Sequence, residues 1–179
     1  MPATRIALLR GINVGTAKRI AMADLRALVE GLGYGDVRTL LNSGNVVFTV
    51  PAKSKGQPAA RIEQGIAKEL GVSARVTVLS GEELRTIVRD NPLLAIADDA
   101  SRLLVTVLGD AAARARIEPL TREDWTPDAL ALGERAAYLW CASGVLDSKV
   151  SKAAARALGD AATSRNWSTM LKLDALAGE

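Results

Sequence analysis

Histidine is absent from all 179 residues. That absence removes Ser–His and Cys–His nucleophile pairs, imidazole acid–base chemistry and every histidine-containing metal site. A single cysteine, Cys141, excludes an intramolecular disulfide and a bridge-stapled secreted fold. Aromatic residues make up 3% of the chain, which weighs against an RNA-binding sheet, since such sheets stack bases on two or three exposed rings. No apolar run approaches the ~20 residues of a membrane-spanning helix. The apolar stretch in MPATRIALLRG is too short for a signal core, and Arg10 closes it. These absences lead us to expect a cytoplasmic protein with no membrane partner, whose chemistry rests on carboxylates, lysines, hydroxyls and one thiol.

With 49% hydrophobic and 24% charged residues, the composition is that of an ordinary globular protein. Its net charge of +3 is unevenly spread. Residues 1–80 carry 11 Lys and Arg against 5 Asp and Glu, whereas residues 81–179 carry 12 against 15. A basic first half favours anionic ligands, either a small phosphorylated molecule or a nucleic acid. The plain alternative is that Lys18, Arg19, Lys53 and Lys55 solvate loops.

Apolar patterning orders the first half. Arg5–Leu9 reads as a buried strand, and Met22, Leu25, Leu28, Val29 and Leu32 fall on one face of a helix that Gly33 stops. Val37–Leu41 and Asn45–Val50 read as strands joined by a turn at Asn42–Gly44. Pro58 opens a helix whose stripe is Ala59, Ile62, Ile66 and Leu70, and Ala74–Leu79 alternates as a fourth strand. The order is β-α-β-β-α-β, the split βαβ or ferredoxin-like arrangement.

Ser80-Gly81-Glu82-Glu83 has the form of a capping box, and the helix it opens stops before Asn91-Pro92. Arg102–Leu108 reads as a strand covered on both faces, Asp110–Ile117 as a helix, and Ala129–Leu132 and Arg135–Cys141 as a hairpin across Gly133-Glu134. Ser148 can cap a helix over Lys149–Leu158, and a last helix runs from about Asn166 to Ala177. The expected fold is α+β, with two ferredoxin-like (βαββαβ-type) lobes, the second carrying an extra C-terminal helix. The expected division is a first lobe at 1–80, a connecting helix and loop at 81–99, and a second lobe at 100–179.

Three polar islands interrupt this packing pattern: RGINVG (Arg10–Gly15), NSGN (Asn42–Asn45) and SRNW (Ser164–Trp167). Each falls where an element begins or ends, which is where backbone and side chains are free to hold a ligand. The stretches ALLRGINVG, MADLRALVEGLGYGDVRTLLNSGNVVF and ATSRNWSTMLKL together resemble the domain-of-unknown-function 1697 family. That family reads LRGINVGG, then an amphipathic helix, SGNVVF and a closing TTRNWNTVLKL. The resemblance spans nearly the whole chain. It implies a bacterial-type, cytoplasmic α+β protein with ferredoxin-like halves, and it implies no activity. Thr16-Ala17, Leu40-Leu41-Asn42 and Ser164 depart from the residues common in the family.

The islands also have a chemistry of their own. Arg10 offers a planar fork for carboxylate or phosphate, Asn13 an amide, and the glycines at 11 and 15 let the backbone approach a ligand closely. As a nucleotide signature Gly-x-x-x-Gly is incomplete, because it lacks the Rossmann glycine and the P-loop Lys-Ser/Thr. Asn42, Ser43 and Asn45 also suit a hairpin turn that closes its own hydrogen bonds. Arg165 and Asn166 are read at the start of the last helix, where free amides favour an anion and where Thr163 or Ser164 serves as cap. An arginine there opposes the helix dipole and so needs another partner. Trp167 reads as core.

The candidate ligand residues are therefore Arg10, Asn13, Gly15, Asn42, Ser43, Asn45, Arg165 and Asn166. No motif calls for a cofactor or metal, and no complete catalytic constellation is present, so the chain is not assigned as an enzyme. Binding of a small anionic molecule, in a pocket formed by the three islands between the lobes, is the leading reading. A nucleic-acid-binding ferredoxin-like module and a non-catalytic partner-binding protein are the alternatives. The sequence leaves the oligomeric state open.

Overall fold

A computed structural model describes residues 2–14, 16 and 18–179. Among the described residues, six α-helices and two four-stranded antiparallel sheets form an α+β fold with two similar lobes. The chain divides into one unit of Met1–Leu84 with Leu173–Glu179 and another of Arg85–Lys172.

The first unit holds β1 (Ala3–Arg10), α1 (Met22–Gly31), β2 (Gly35–Leu40), β3 (Asn45–Val50), α2 (Pro58–Gly65) and β4 (Arg75–Ser80), with sheet order β2-β3-β1-β4. As a central strand, β1 pairs with β3 through Leu8↔Asn45 and with β4 through Leu8↔Thr77. Its run Ile6-Ala7-Leu8-Leu9 is buried throughout, which is why it reads as continuously apolar rather than alternating. Ala7, Leu9, Val46 and Phe48 share a core with Leu25, Leu28 and Val29 of α1 and with Ile62 of α2. Burying a side chain of this size contributes about 1.5–3 kcal/mol.

Helix α1 ends where Gly33 takes φ +92°, a backbone state natural to glycine. Arg61 closes that end by donating from Nη2 to the Leu32 carbonyl at 2.8 Å. Its guanidinium also lies 5.1 Å from the centre of the Tyr34 ring, and that ring is 5.0 Å from Phe48. Pro58 sits in the first turn of α2, whose end widens into a π-helical turn at Ile66–Leu70 before Gly71.

The capping box forms as read: the Glu83 amide donates to Ser80 Oγ at 3.0 Å, and the Ser80 amide to Glu83 Oε2 at 2.8 Å. It opens α3 (Gly81–Arg89), which carries the chain from one unit into the other.

Next come β5 (Leu103–Leu108), α4 (Ala111–Ile117), β6 (Ala129–Leu132), β7 (Ala136–Trp140), α5 (Lys149–Leu158), β8 (Ala162–Asn166) and α6 (Trp167–Ala177). The second sheet has the order β6-β7-β5-β8, repeating the first. Asp110 caps α4 by accepting from the Ala113 amide at 2.8 Å, and Ser148 caps α5 by accepting from the Ser151 amide at 3.1 Å.

One element departs from the sequence reading. Residues 162–166, which include the expected cap and opening residues of the last helix, form β8 instead, paired with β5 through Val105↔Arg165 and Thr106↔Ser164. This strand lies at the sheet edge, and its polar Ser164-Arg165-Asn166 shows no strand pattern of its own; pairing with β5 makes it a strand. The cap of α6 moves accordingly. Asn166 Oδ1 accepts from the Thr169 amide at 2.9 Å, in the role assigned to Thr163 or Ser164.

Candidate functional site

Strands β1 and β3 run antiparallel, so the end of one lies beside the start of the other. This brings RGINVG and NSGN together from distant sequence positions. Gly44 lets them touch. Its φ is +90°, and a Cβ there would stand 2.8 Å from both Leu9 Cβ and Ile12 Cδ1. The Leu9 amide donates to the Gly44 carbonyl at 2.9 Å.

Asn13 fastens the two islands. Its Nδ2 donates to the Asn42 carbonyl at 2.7 Å and to the Ile20 carbonyl at 3.0 Å, while Oδ1 accepts from the Ile20 amide at 2.8 Å. The Asn13 amide donates to the Lys18 carbonyl at 3.0 Å. With φ 53°, Asn13 holds a left-handed backbone that asparagine tolerates better than most residues. Both of its side-chain donors are thus engaged, so Asn13 shapes the site rather than offering a donor to a ligand.

Asn45 is wholly buried. It donates from Nδ2 to the Leu40 carbonyl at 2.7 Å and to Ser43 Oγ at 3.0 Å, closing the β2–β3 turn. Arg10 is exposed at the end of β1, directly opposite Arg75 of β4. Gly15 lies outside the described residues.

Where the islands meet, a depression of about 310 Å³ is lined by Asn13, Arg19, Ile20, Ala21 and Asn42. Arg19 is exposed, and among the described residues its guanidinium has no hydrogen bond or ion pair. The Asn42 side chain likewise has no internal partner among them. Ala21 is the N-cap residue of α1 and supplies no side-chain cap, so the amides of the first turn carry positive partial charge toward this end. Asp24 in that turn offsets part of it.

Sequence reasoning did not include Arg19, which lines this depression, among the candidate residues. A lone arginine in a polar loop resembles any solvated charge, and only the surrounding surface sets it apart.

The third island belongs to the second unit. Arg165 is in β8 and donates from Nη1 to the Ser164 carbonyl at 3.0 Å. The expectation that it opens a helix and opposes the dipole there does not hold, because α6 begins at Trp167. Asn166 is occupied as the cap of α6. Trp167 is 8% exposed and is core, as read.

Other chemistry is muted. The Cys141 thiol is pushed up by burial, an effect the Ser148 hydrogen bond offsets in part and the Asp128 carboxylate reinforces, the opposite of what an activated nucleophile requires. Tyr34 and Phe48 are buried, so neither offers a base a stacking face. Among the described residues, no group of three or more Cys, Asp or Glu side chains could hold a metal ion. No helix among them is long and apolar enough to cross a membrane.

A family model described as "Protein of unknown function (DUF1697)" matches residues 3–138. The conserved bacterial protein SP0830 from Streptococcus pneumoniae has a solved structure similar to this chain, with a TM-score of 0.77 and 21% identity over 99% of each chain. At that identity the likeness shows the fold alone. A comparison with curated proteins finds no match.

Proposed function

The chain belongs to the DUF1697 family, whose description carries no activity, and we propose from its own residues that it binds a small anionic molecule in the depression at Asn13, Arg19, Ile20, Ala21 and Asn42. One observation carries this reading: Arg19 lines the depression with a guanidinium that no described residue engages. A guanidinium binds carboxylate or phosphate through paired, charge-assisted hydrogen bonds.

Asn42 adds an amide donor, and the uncapped start of α1 adds a favourable field. Asn13 fixes the loop that carries Arg19 against the turn that carries Asn42. The surplus of positive charge over residues 1–80 draws anions toward this lobe.

The test is a nuclear magnetic resonance titration of the full chain with inorganic phosphate, run on wild type and Arg19→Gln. We expect phosphate to shift amides of residues 12–21 and 42–44 in wild type and to leave the variant unmoved. Thermal stability should be nearly the same in both, since exposed substitutions usually change it by only about 0.5 kcal/mol. Equal titration of the two proteins, or no titration of either, overturns the proposal.

A further inference from the structure

We infer a second ligand site in the first unit, at the β2 side of its sheet, that takes a small zwitterion such as an α-amino acid. The carboxylate of the ligand meets Arg38 and the Thr4 and Thr49 hydroxyls, and its ammonium group meets Asp36.

Strand β2 is an edge of the first sheet and carries a bulge, where its pairing with β3 shifts register between Gly35 and Arg38. Bulges gather at sheet edges and beside active sites, where they re-aim side chains. Asp36 lies in this one with φ 45°, a left-handed state that aspartate tolerates better than most residues. Beyond the bulge Arg38 pairs with Val47, and two positions further along β3 Thr49 pairs with Thr4. Alternation along the strands puts Arg38, Thr49 and Thr4 on one face. These three and Asp36, with Arg26 and Glu30 of α1, line a hollow of about 610 Å³, a size that holds a small molecule.

The hollow holds polar groups that the protein leaves unused. Arg38 donates from Nη1 to Glu179 Oε2 at 2.9 Å, but its Nε is buried with no partner. Its Nη2 makes no hydrogen bond among the described residues either. A buried donor on a charged group is costly to leave unpaired, so the protein itself compensates this guanidinium only in part. The Asp36 carboxylate is exposed and has no hydrogen bond or ion pair among the described residues, and neither threonine hydroxyl has one. Gly35 keeps the Thr49 hydroxyl clear, since a Cβ there would stand 2.9 Å from Oγ1.

The other charges of the lining are paired. Arg26 meets Glu30 at 3.0 Å, and Glu179 meets Arg38 Nη1. One guanidinium nitrogen, one carboxylate and two hydroxyls remain for a ligand. A simple anion would meet Arg38 together with the repulsion of Asp36, and a simple cation the reverse. A molecule carrying both charges meets each with its complement. This hollow shares no lining residue with the one at Arg19.

Amide-shift titrations of the full chain with glycine, acetate and methylammonium test the inference on wild type, Arg38→Gln and Asp36→Asn. Asparagine tolerates the left-handed backbone at 36, and Arg38→Gln gives up one surface ion pair, so both variants should keep a dispersed spectrum. We expect glycine to shift amides of residues 4, 35–38 and 49 in wild type. It should bind there about tenfold more tightly than acetate or methylammonium, which each make half of its contacts. Asp36→Asn should bring glycine down to the level of acetate without weakening acetate, and Arg38→Gln should abolish the acetate shifts. Glycine no tighter than acetate in wild type, acetate shifts that survive Arg38→Gln, or no response of these amides to any probe overturns the inference. The phosphate titration reads residues 12–21 and 42–44, so either site can fail without the other.

Discussion

Asn13 and Asn42 stand 29 positions apart in sequence, yet the side-chain amide of the first donates to the carbonyl of the second at 2.7 Å. The same amide clasps both backbone groups of Ile20. One polar side chain thereby closes a loop on itself and anchors it to a neighbouring turn. The loop and turn so joined carry Arg19 and Asn42, which line one hollow.

Replacing Asn13 by glycine keeps the left-handed backbone and removes all three side-chain hydrogen bonds. The expected loss is about 1–2 kcal/mol, since two of the bonds are half-buried and the one to Asn42 is exposed, and a typical hydrogen bond contributes about 0.5–1.5 kcal/mol. The Ile20 amide, which donates to Asn13 Oδ1 at 2.8 Å, should exchange its hydrogen much faster in Asn13→Gly. Unchanged protection at Ile20 would show that something else holds the loop.

Gly44→Ala should cost more than Gly71→Ala. Both glycines have positive φ, but a Cβ at Gly71 meets nothing within 4 Å, whereas at Gly44 it comes within 2.8 Å of Leu9 Cβ. The shared backbone strain is roughly 1–2 kcal/mol, and the overlap at Gly44 adds about 1–3 kcal/mol. Urea denaturation of the two variants measures the difference. Equal midpoints would mean that the β2–β3 turn yields freely.

Tyr138 sets an alkaline limit. Its hydroxyl donates to the Ile87 carbonyl at 2.7 Å, and burial, reinforced by the charge of Asp90, pushes its pKa up to about 12. In the unfolded chain the phenol titrates near 10. Between roughly pH 10 and 12 the unfolded chain therefore gives up a proton that the folded one keeps. With fewer protons bound in the unfolded state, stability falls as pH rises through this window and is fully present below it. Urea midpoints at about pH 9.5 and 11.5 should diverge more in wild type than in Tyr138→Phe, and parallel behaviour would refute the assignment.

Cys141 should resist alkylation in the native protein. It is fully buried at the end of β7, and its raised pKa leaves little thiolate at neutral pH. Iodoacetamide at pH 8 should label it at a rate set by unfolding, with a large acceleration in urea. Rapid native labelling would contradict the burial.

Signals confined to a few neighbouring residues were legible in the sequence. Strand β3 was read with its observed bounds, and the Ser80–Glu83 capping box and the Asp110 helix start are written in adjacent residues. The meeting of RGINVG and NSGN was also legible, because the βαββαβ order makes strands one and three neighbours. Strand β8 was not: its Ser164-Arg165-Asn166 is polar, and pairing with β5 rather than any pattern of its own makes it a strand. Arg19 was weighed only as one basic loop residue among several, since an arginine lining a hollow and one in open solvent read alike in sequence.

The first unit takes its residues from both ends of the described chain, Met1–Leu84 and Leu173–Glu179, with Leu173 fully buried. On the ribosome the whole of Arg85–Lys172 is synthesised before Leu173 appears. The first unit therefore waits for its own last helix segment until all of Arg85–Lys172 has been made, and the hollow at Asn13 and Asn42 spends that interval in an unfinished unit.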